Sequence, residues 1–206
     1  MRFTNGAHRV TIRSDPRMRS LCRARFGELV PMIGMRRGVV TIRYPGGPSC
    51  DWLDGRSAGC PAEVALNAGI PWDIEVRGGA SRLTADLRGL RLGALSVDGG
   101  AGRVEVLLPT PSATVAVAIL GGASNVAIRR PEGVAARLRV GGGATLLRFD
   151  DRRIGAAGGE LDLRSQGYDR ATGRYDVAIT GGANNVTIDQ FSMPEKEGDD
   201  FDREGE

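Results

Sequence analysis

Apolar residues in this chain fall in pairs two positions apart, and the pairs flank small glycine clusters. Six segments share the pattern: Asn5-Gly6-Ala7, Gly78-Gly79-Ala80, Gly99-Gly100-Ala101, Gly121-Gly122-Ala123, Gly142-Gly143-Ala144 and Gly181-Gly182-Ala183. With the first residue of each counted as zero, positions −4 and −2 are apolar in every copy, from Met1 and Phe3 to Val177 and Ile179. Positions +5 and +7 are apolar too, from Val10 and Ile12 to Val186 and Ile188. A period of two is that of a strand with one face buried. Each copy is predicted as strand, glycine corner, strand.

The copies begin at 5, 78, 99, 121, 142 and 181, so the central period is 21 or 22 residues and the last interval, 39, is close to two periods. A degenerate member, Gly158-Gly159-Glu160-Leu161, sits inside that double interval, and Gly46-Gly47 is a candidate in the long first one. Positions −2 and +5 differ by an odd number, so a plain two-residue Gly-Gly hairpin would not match the apolar faces. Two readings remain: a four-residue hairpin loop, or a corner at which the strand slips phase around an inward Ala at +2. The corner is preferred, because Gly supplies the backbone conformations and Ala the small side chain that it needs. On this reading Gly122→Val damages folding and substitution of the outward Ser124 does not.

Units this short cannot bury an apolar face alone, whereas stacked units share one core. The expected fold class is all-β, a β-solenoid or a closely related sheet stack. Residues 1–189 are expected as one β-repeat domain, irregular over 1–72 with a loop at 45–61, and regular over 73–189. Strands are expected at Val39–Tyr44 and Ala62–Leu66. The tail 190–206, polar and acidic, is expected to be disordered.

Composition agrees with the pattern. Gly is 31 of 206 residues and aromatics are 5%, which disfavours helices, where each interior Gly costs about 1 kcal/mol relative to Ala. No apolar run reaches membrane-spanning length and no apolar segment follows Met1, so a cytoplasmic location is expected. The formal charge is +3, but it is unevenly spread. Residues 1–48 hold ten Arg against Asp15 and Glu28, and residues 190–206 hold seven acids against Lys196 and Arg203. The basic segment supplies the candidate interaction surface: Arg9, Arg13, Arg17, Arg19, Arg23, Arg25, Arg36 and Arg37. Two readings stand: a solvated Arg-rich face partly neutralised by the acidic tail, which is preferred because few aromatics are interleaved for stacking, and a surface for nucleic acid or anionic lipid with the tail as internal competitor.

Catalytic candidates are few. His8, the one histidine, occupies the outward +3 position of the first corner and reads as a surface residue. Cys22, Cys50 and Cys60 form no close pair, so a zinc site is not expected, and reduced thiols are expected for Cys50 and Cys60. Asp150-Asp151 with Asp162 is the one acidic cluster of the folded part; Arg152 and Arg153 beside it favour a charged turn over a Ca²⁺ site. The glycine pairs precede strands rather than helices and are not phosphate loops. Neither a cofactor nor a metal is expected, and the glycine pairs from Gly78 to Gly182 are structural corners. Outward Ser124, Asn125, Asn184 and Asn185 are placed to form a hydrogen-bonding ladder across neighbouring units.

The block Pro71-Trp72-Asp73-Ile74-Glu75-Val76-Arg77-Gly78-Gly79-Ala80-Ser81, with Gly121 to Val126 and Tyr175-Asp176-Val177-Ala178-Ile179, resembles bacterial toast-rack β-repeat domains, often labelled adhesins or envelope-stress response domains. The resemblance spans roughly residues 1 to 189 and implies a non-enzymatic module that binds a protein partner or assembles with itself. Bactofilin-like scaffolds, which polymerise head to tail, offer a second analogy.

Overall fold

The computed structural model describes residues 1–5, 7–44 and 61–192. The strands, in chain order, begin with β1 (Arg2–Thr4), β2 (Ala7–Asp15), β3 (Cys22–Phe26), β4 (Met32–Arg36), β5 (Val39–Arg43) and β6 (Pro61–Asn67). The regular region supplies β7 (Pro71–Arg77), β8 (Ala80–Asp86), β9 (Arg91–Asp98), β10 (Ala101–Leu107), β11 (Thr114–Leu120) and β12 (Ala123–Pro131). The last part supplies β13 (Ala135–Val140), β14 (Ala144–Phe149), β15 (Arg152–Ala157), β16 (Leu161–Arg164), β17 (Arg174–Ile179) and β18 (Ala183–Phe191).

The strands before and after each glycine corner lie in different sheets. Sheet A has the order β16-β13-β17-β11-β9-β7-β1-β5-β4, and sheet B the order β15-β14-β18-β12-β10-β8-β2-β6-β3. The hairpin alternative is thereby removed: β7 and β8, for example, do not pair with each other but with β9 and β10 of the next unit, in parallel. All the predicted inward positions, −4, −2, +5 and +7 of each copy, are buried, and they join into one apolar cluster between the sheets. Ala80, Ala101, Ala123, Ala144 and Ala183, at +2, are buried as well.

The phase slip falls just past the corner, inside the second strand. Residues +3 and +4 both face outward in β8, as Ser81 and Arg82, between buried Ala80 and Leu83. In β14 and β18 the +4 residues, Leu146 and Asn185, take left-handed backbone with φ of 51° and 52°. The extra outward residue recurs at the same position of each neighbouring strand, so the strands keep one-to-one register and the two-residue alternation resumes on the correct face.

Chain order and spatial order part company at both ends. The unit β1/β2 lies between β5/β6 and β7/β8, and β17/β18 lies between β11/β12 and β13/β14. Each end carries one reversed passage: β3 and β4 pair antiparallel with β6 and β5, and β15 and β16 with β14 and β13. The double interval is thus explained, because Gly158-Gly159 joins β15 to β16 at a corner passed in the opposite sense. Two boundaries shift. Pro61 already belongs to β6, and Gln190 and Phe191 belong to β18, where Phe191 pairs with Pro131. Residues 45–60, with Gly46-Gly47, Cys50 and Cys60, and the tail from 193 lie outside the described residues.

The glycine expectation needs one correction. Gly121 has φ 147°, and a Cβ there would sit 2.8 Å from the backbone nitrogen of Gly100. Gly122 has no positive φ, and its Cβ would meet only the carbonyl of Gly182 at 3.5 Å, an ordinary contact. The first glycine of this pair, not the second, is the position that excludes a side chain.

Candidate interaction surface

The eight arginines singled out in the sequence do not form one patch. Arg9 and Arg13 lie on β2 and Arg23 and Arg25 on β3, all exposed on the outer face of sheet B. Arg17 and Arg19 follow β2, where the backbone N–H of Arg17 donates to Asp15 Oδ1 at 2.9 Å. Arg36 and Arg37 end β4 and begin its turn, on the edge of the other sheet.

Strand register adds two residues to the first group. Arg9 pairs with Arg82 of β8, and Arg82 with Arg103 of β10, so three arginines stand side by side on successive parallel strands. Neighbouring strands are about 4.8 Å apart. The row continues into Asn125 of β12. All four residues occupy position +4 of their repeats, so the repeat alignment contains the row, although Arg82 and Arg103 lie outside the basic segment 1–48.

Acids on this face stand beside the flanking arginines, Glu63 opposite Arg25 and Asp86 opposite Arg13, rather than within the row. Glu105 approaches Arg103 only to 4.0 Å. Asp86 is held by Arg88 at 2.7 Å, and that hydrogen bond keeps its carboxyl below the usual range. Among the described residues, Arg9, Arg13, Arg23, Arg25 and Arg82 enter no ion pair. Beyond the arginines part of the expected polar ladder is present: Asn185 Nδ2 donates to Asn125 Oδ1 at 2.8 Å, while Asn184 Oδ1 accepts instead from Thr145 Oγ1 at 2.7 Å. A shallow groove runs between the two kinds of row, lined by Arg103, Glu105, Asn125 and Asn185.

The remaining candidates have structural occupations. Asp150 accepts from Arg130 Nη2 through both oxygens, and Asp162 from Arg137 Nε and Nη2, so both carboxylates are paired with arginines. The thiol of Cys22 is half-buried, and burial pushes its pKa up, away from nucleophilic reactivity. Nothing is described of the His8 side chain.

Against known proteins, residues 36–129 match the model of the N-terminal domain of toast_rack, DUF2154. This part of the chain is therefore similar to a toast-rack β-repeat domain. The matched span runs from the end of β4 into β12, four units of the stack. A crystal structure of a proposed cell adhesion protein from Clostridium sporogenes ATCC 15579 has the same fold, with a TM-score of 0.66 and 19% identity over 92% of this chain and 91% of that one. No curated protein matches the chain. The fold is therefore all-β and toast-rack-like, and no helix among the described residues is long and apolar enough to cross a membrane.

Proposed function

We propose that the protein is a non-enzymatic β-repeat interaction module, with residues 1–189 acting as one solenoid-like stack in the cytoplasm, and that it docks a protein partner bearing acidic side chains on the outer face of sheet B. The observation that carries this reading is the Arg9–Arg82–Arg103 row. Like charges directly opposite one another on neighbouring strands destabilise a sheet, so three in register are a cost to the fold that an anionic partner offsets. The toast-rack domain and the adhesion-type neighbour support a module of this kind, since both are known here by architecture rather than by a catalytic site.

The test is binding of a fluorescent poly-glutamate peptide, compared with duplex DNA and phosphatidylserine vesicles, at low and high salt. The expected result is salt-sensitive binding of the acidic peptide that is lost in Arg9→Gln/Arg82→Gln/Arg103→Gln. Equal peptide binding by that variant overturns the reading. A second reading, a nucleic-acid or anionic-lipid surface, is favoured by Arg13, Arg23 and Arg25, which widen the basic face towards the N-terminal end. It predicts that DNA or vesicles bind more tightly than the peptide, and more tightly still when residues 190–206 are deleted.

A further inference from the structure

Among the described residues, strand β4 (Met32–Arg36) is an outermost strand of sheet A, and all five of its residues are exposed. Met32, Ile33 and Met35 are 62%, 58% and 68% exposed, and Val30 just before them is 71% exposed. Among the described residues only Leu120 and Leu146 are comparably exposed large hydrophobics. Exposed hydrocarbon is thus concentrated on one edge. The other three edge strands carry charge: β3 has Arg23 and Arg25, β15 has Arg152 and Arg153, and β16 has Asp162 and Arg164. Charge is a common device for keeping a sheet edge from pairing with another chain. In β4 no charge precedes Arg36.

The backbone of β4 is also arranged for pairing. Arg37 and Gly38, with φ of 50° and 76°, form a two-residue turn of the hairpin type between the paired residues Arg36 and Val39. Residues flanking such a turn form a hydrogen-bonded pair, and bonded and non-bonded pairs alternate along an antiparallel ladder. Arg36, Gly34 and Met32 accordingly turn their N–H and C=O groups to β5. Those of Ile33 and Met35 face away from the sheet.

Charge and shape select the occupant. Glu28 precedes β4, while Arg36 ends it and Arg37 follows, so antiparallel pairing of two copies lays the basic end of each towards the acidic end of the other. Centred on Gly34, this pairing sets Ile33 of each copy against Met35 of the other on the inner face. On the outer face Gly34 meets Gly34, beside a shallow groove of about 340 Å³ lined by Met32, Gly34, Thr41 and Arg43. We propose that two copies of the protein form a two-fold dimer by antiparallel β4–β4 pairing, joining their A sheets into one continuous sheet. This rests on the reading of the chain as an interaction module and names a second copy of the chain as one of its partners.

Gly34 makes the test clean. A Cβ at this position meets nothing within 4 Å, and its φ is not in the left-handed region, so the single chain accommodates a side chain there. Light scattering after size exclusion should show the wild-type mass rising from 21.8 kDa towards twice that value with concentration, and Gly34→Ala should behave alike. Gly34→Glu and Gly34→Lys should each remain at the single-chain mass, because like charges meet across the two-fold axis. An equimolar mixture of the two should recover the dimer. Dimers indifferent to both charged variants overturn the proposal, as does a wild type that stays monomeric at every concentration. A monomer whose Ile33 and Met35 amides are protected from hydrogen exchange also overturns it, because the edge is then covered by the chain's own residues. A monomeric wild type leaves the sheet B reading standing, since that reading is judged by peptide binding alone.

Discussion

Arg130 Nη2 donates to both carboxylate oxygens of Asp150, at 2.9 and 2.7 Å, from a side chain that is 1% exposed. Its Nε donates to the carbonyl of Val134, and its guanidinium lies 5.8 Å from the centroid of the Phe149 ring. In the two preceding units the same place after the second strand is filled by Leu87 and Leu108, both fully buried. An ion pair has here replaced a leucine in the column. Breaking such a pair leaves a buried charge, whereas replacing it with hydrocarbon does not.

Asp150→Ala should therefore destabilise the protein by about 3–5 kcal/mol. The double variant Arg130→Leu/Asp150→Ala, which extends the leucine column, should be close to neutral or more stable than the parent. Urea unfolding of the two single variants and the double variant gives the coupling directly; a double variant as unstable as Asp150→Ala would refute the account.

At the corners, Gly121→Ala should cost clearly more than the ~1 kcal/mol that Gly-to-Ala changes usually gain or lose, because it combines a left-handed φ with a 2.8 Å backbone contact. Gly122→Ala should stay within about 1 kcal/mol of wild type. Thermal melts of the two variants, side by side, check the difference.

Arg82 stands between Arg9 and Arg103, so removing its charge should relieve repulsion on both sides. Arg82→Thr is expected to raise stability by about 0.2–1 kcal/mol, most at low salt, while weakening acidic-peptide binding. The opposite movement of stability and affinity is the signature to measure, and a loss of both would show that Arg82 serves packing instead.

For Cys22, burial raises the folded-state pKa. With Cys50 and Cys60 changed to Ser, its alkylation rate should rise with pH along a curve displaced above that of a free cysteine, near 8.5, and return to it in denaturant. The folded state holds this proton more tightly. The thiol's contribution to stability is then complete below the unfolded pKa and declines as pH rises towards the folded one.

The sequence carried the corners and the core almost completely, because a period of two with a fixed glycine reset encodes both the strands and the face they bury. It did not carry the order of units. Nothing local in Arg2–Thr4 says that β1 sits between β5 and β7, since all units present the same apolar columns and any could stack on any other. The candidate surface was half legible for the same reason. Arg9, Arg13, Arg23 and Arg25 stood out as a basic run, but Arg82 and Arg103 join them only through register. The β4 edge was not legible, because nothing local in Met32–Arg36 distinguishes a strand with neighbours on both sides from one at the end of a sheet.

The displaced units bear on how the chain reaches its fold during synthesis. In an ordinary repeat array each unit docks on the one made before it, and the last to emerge is the outermost. Here β17/β18, near the C-terminal end, is an inner layer with β13/β14 and its reversed strands outside it. The ribosome must release residues 174–191 before the far third of the stack can close, and until then β12 and β14 have no strand between them. A nascent chain stalled short of Arg174 lacks this inner layer, so β11 and β12 on one side and β13 and β14 on the other are without their native neighbours and free to pair with each other instead.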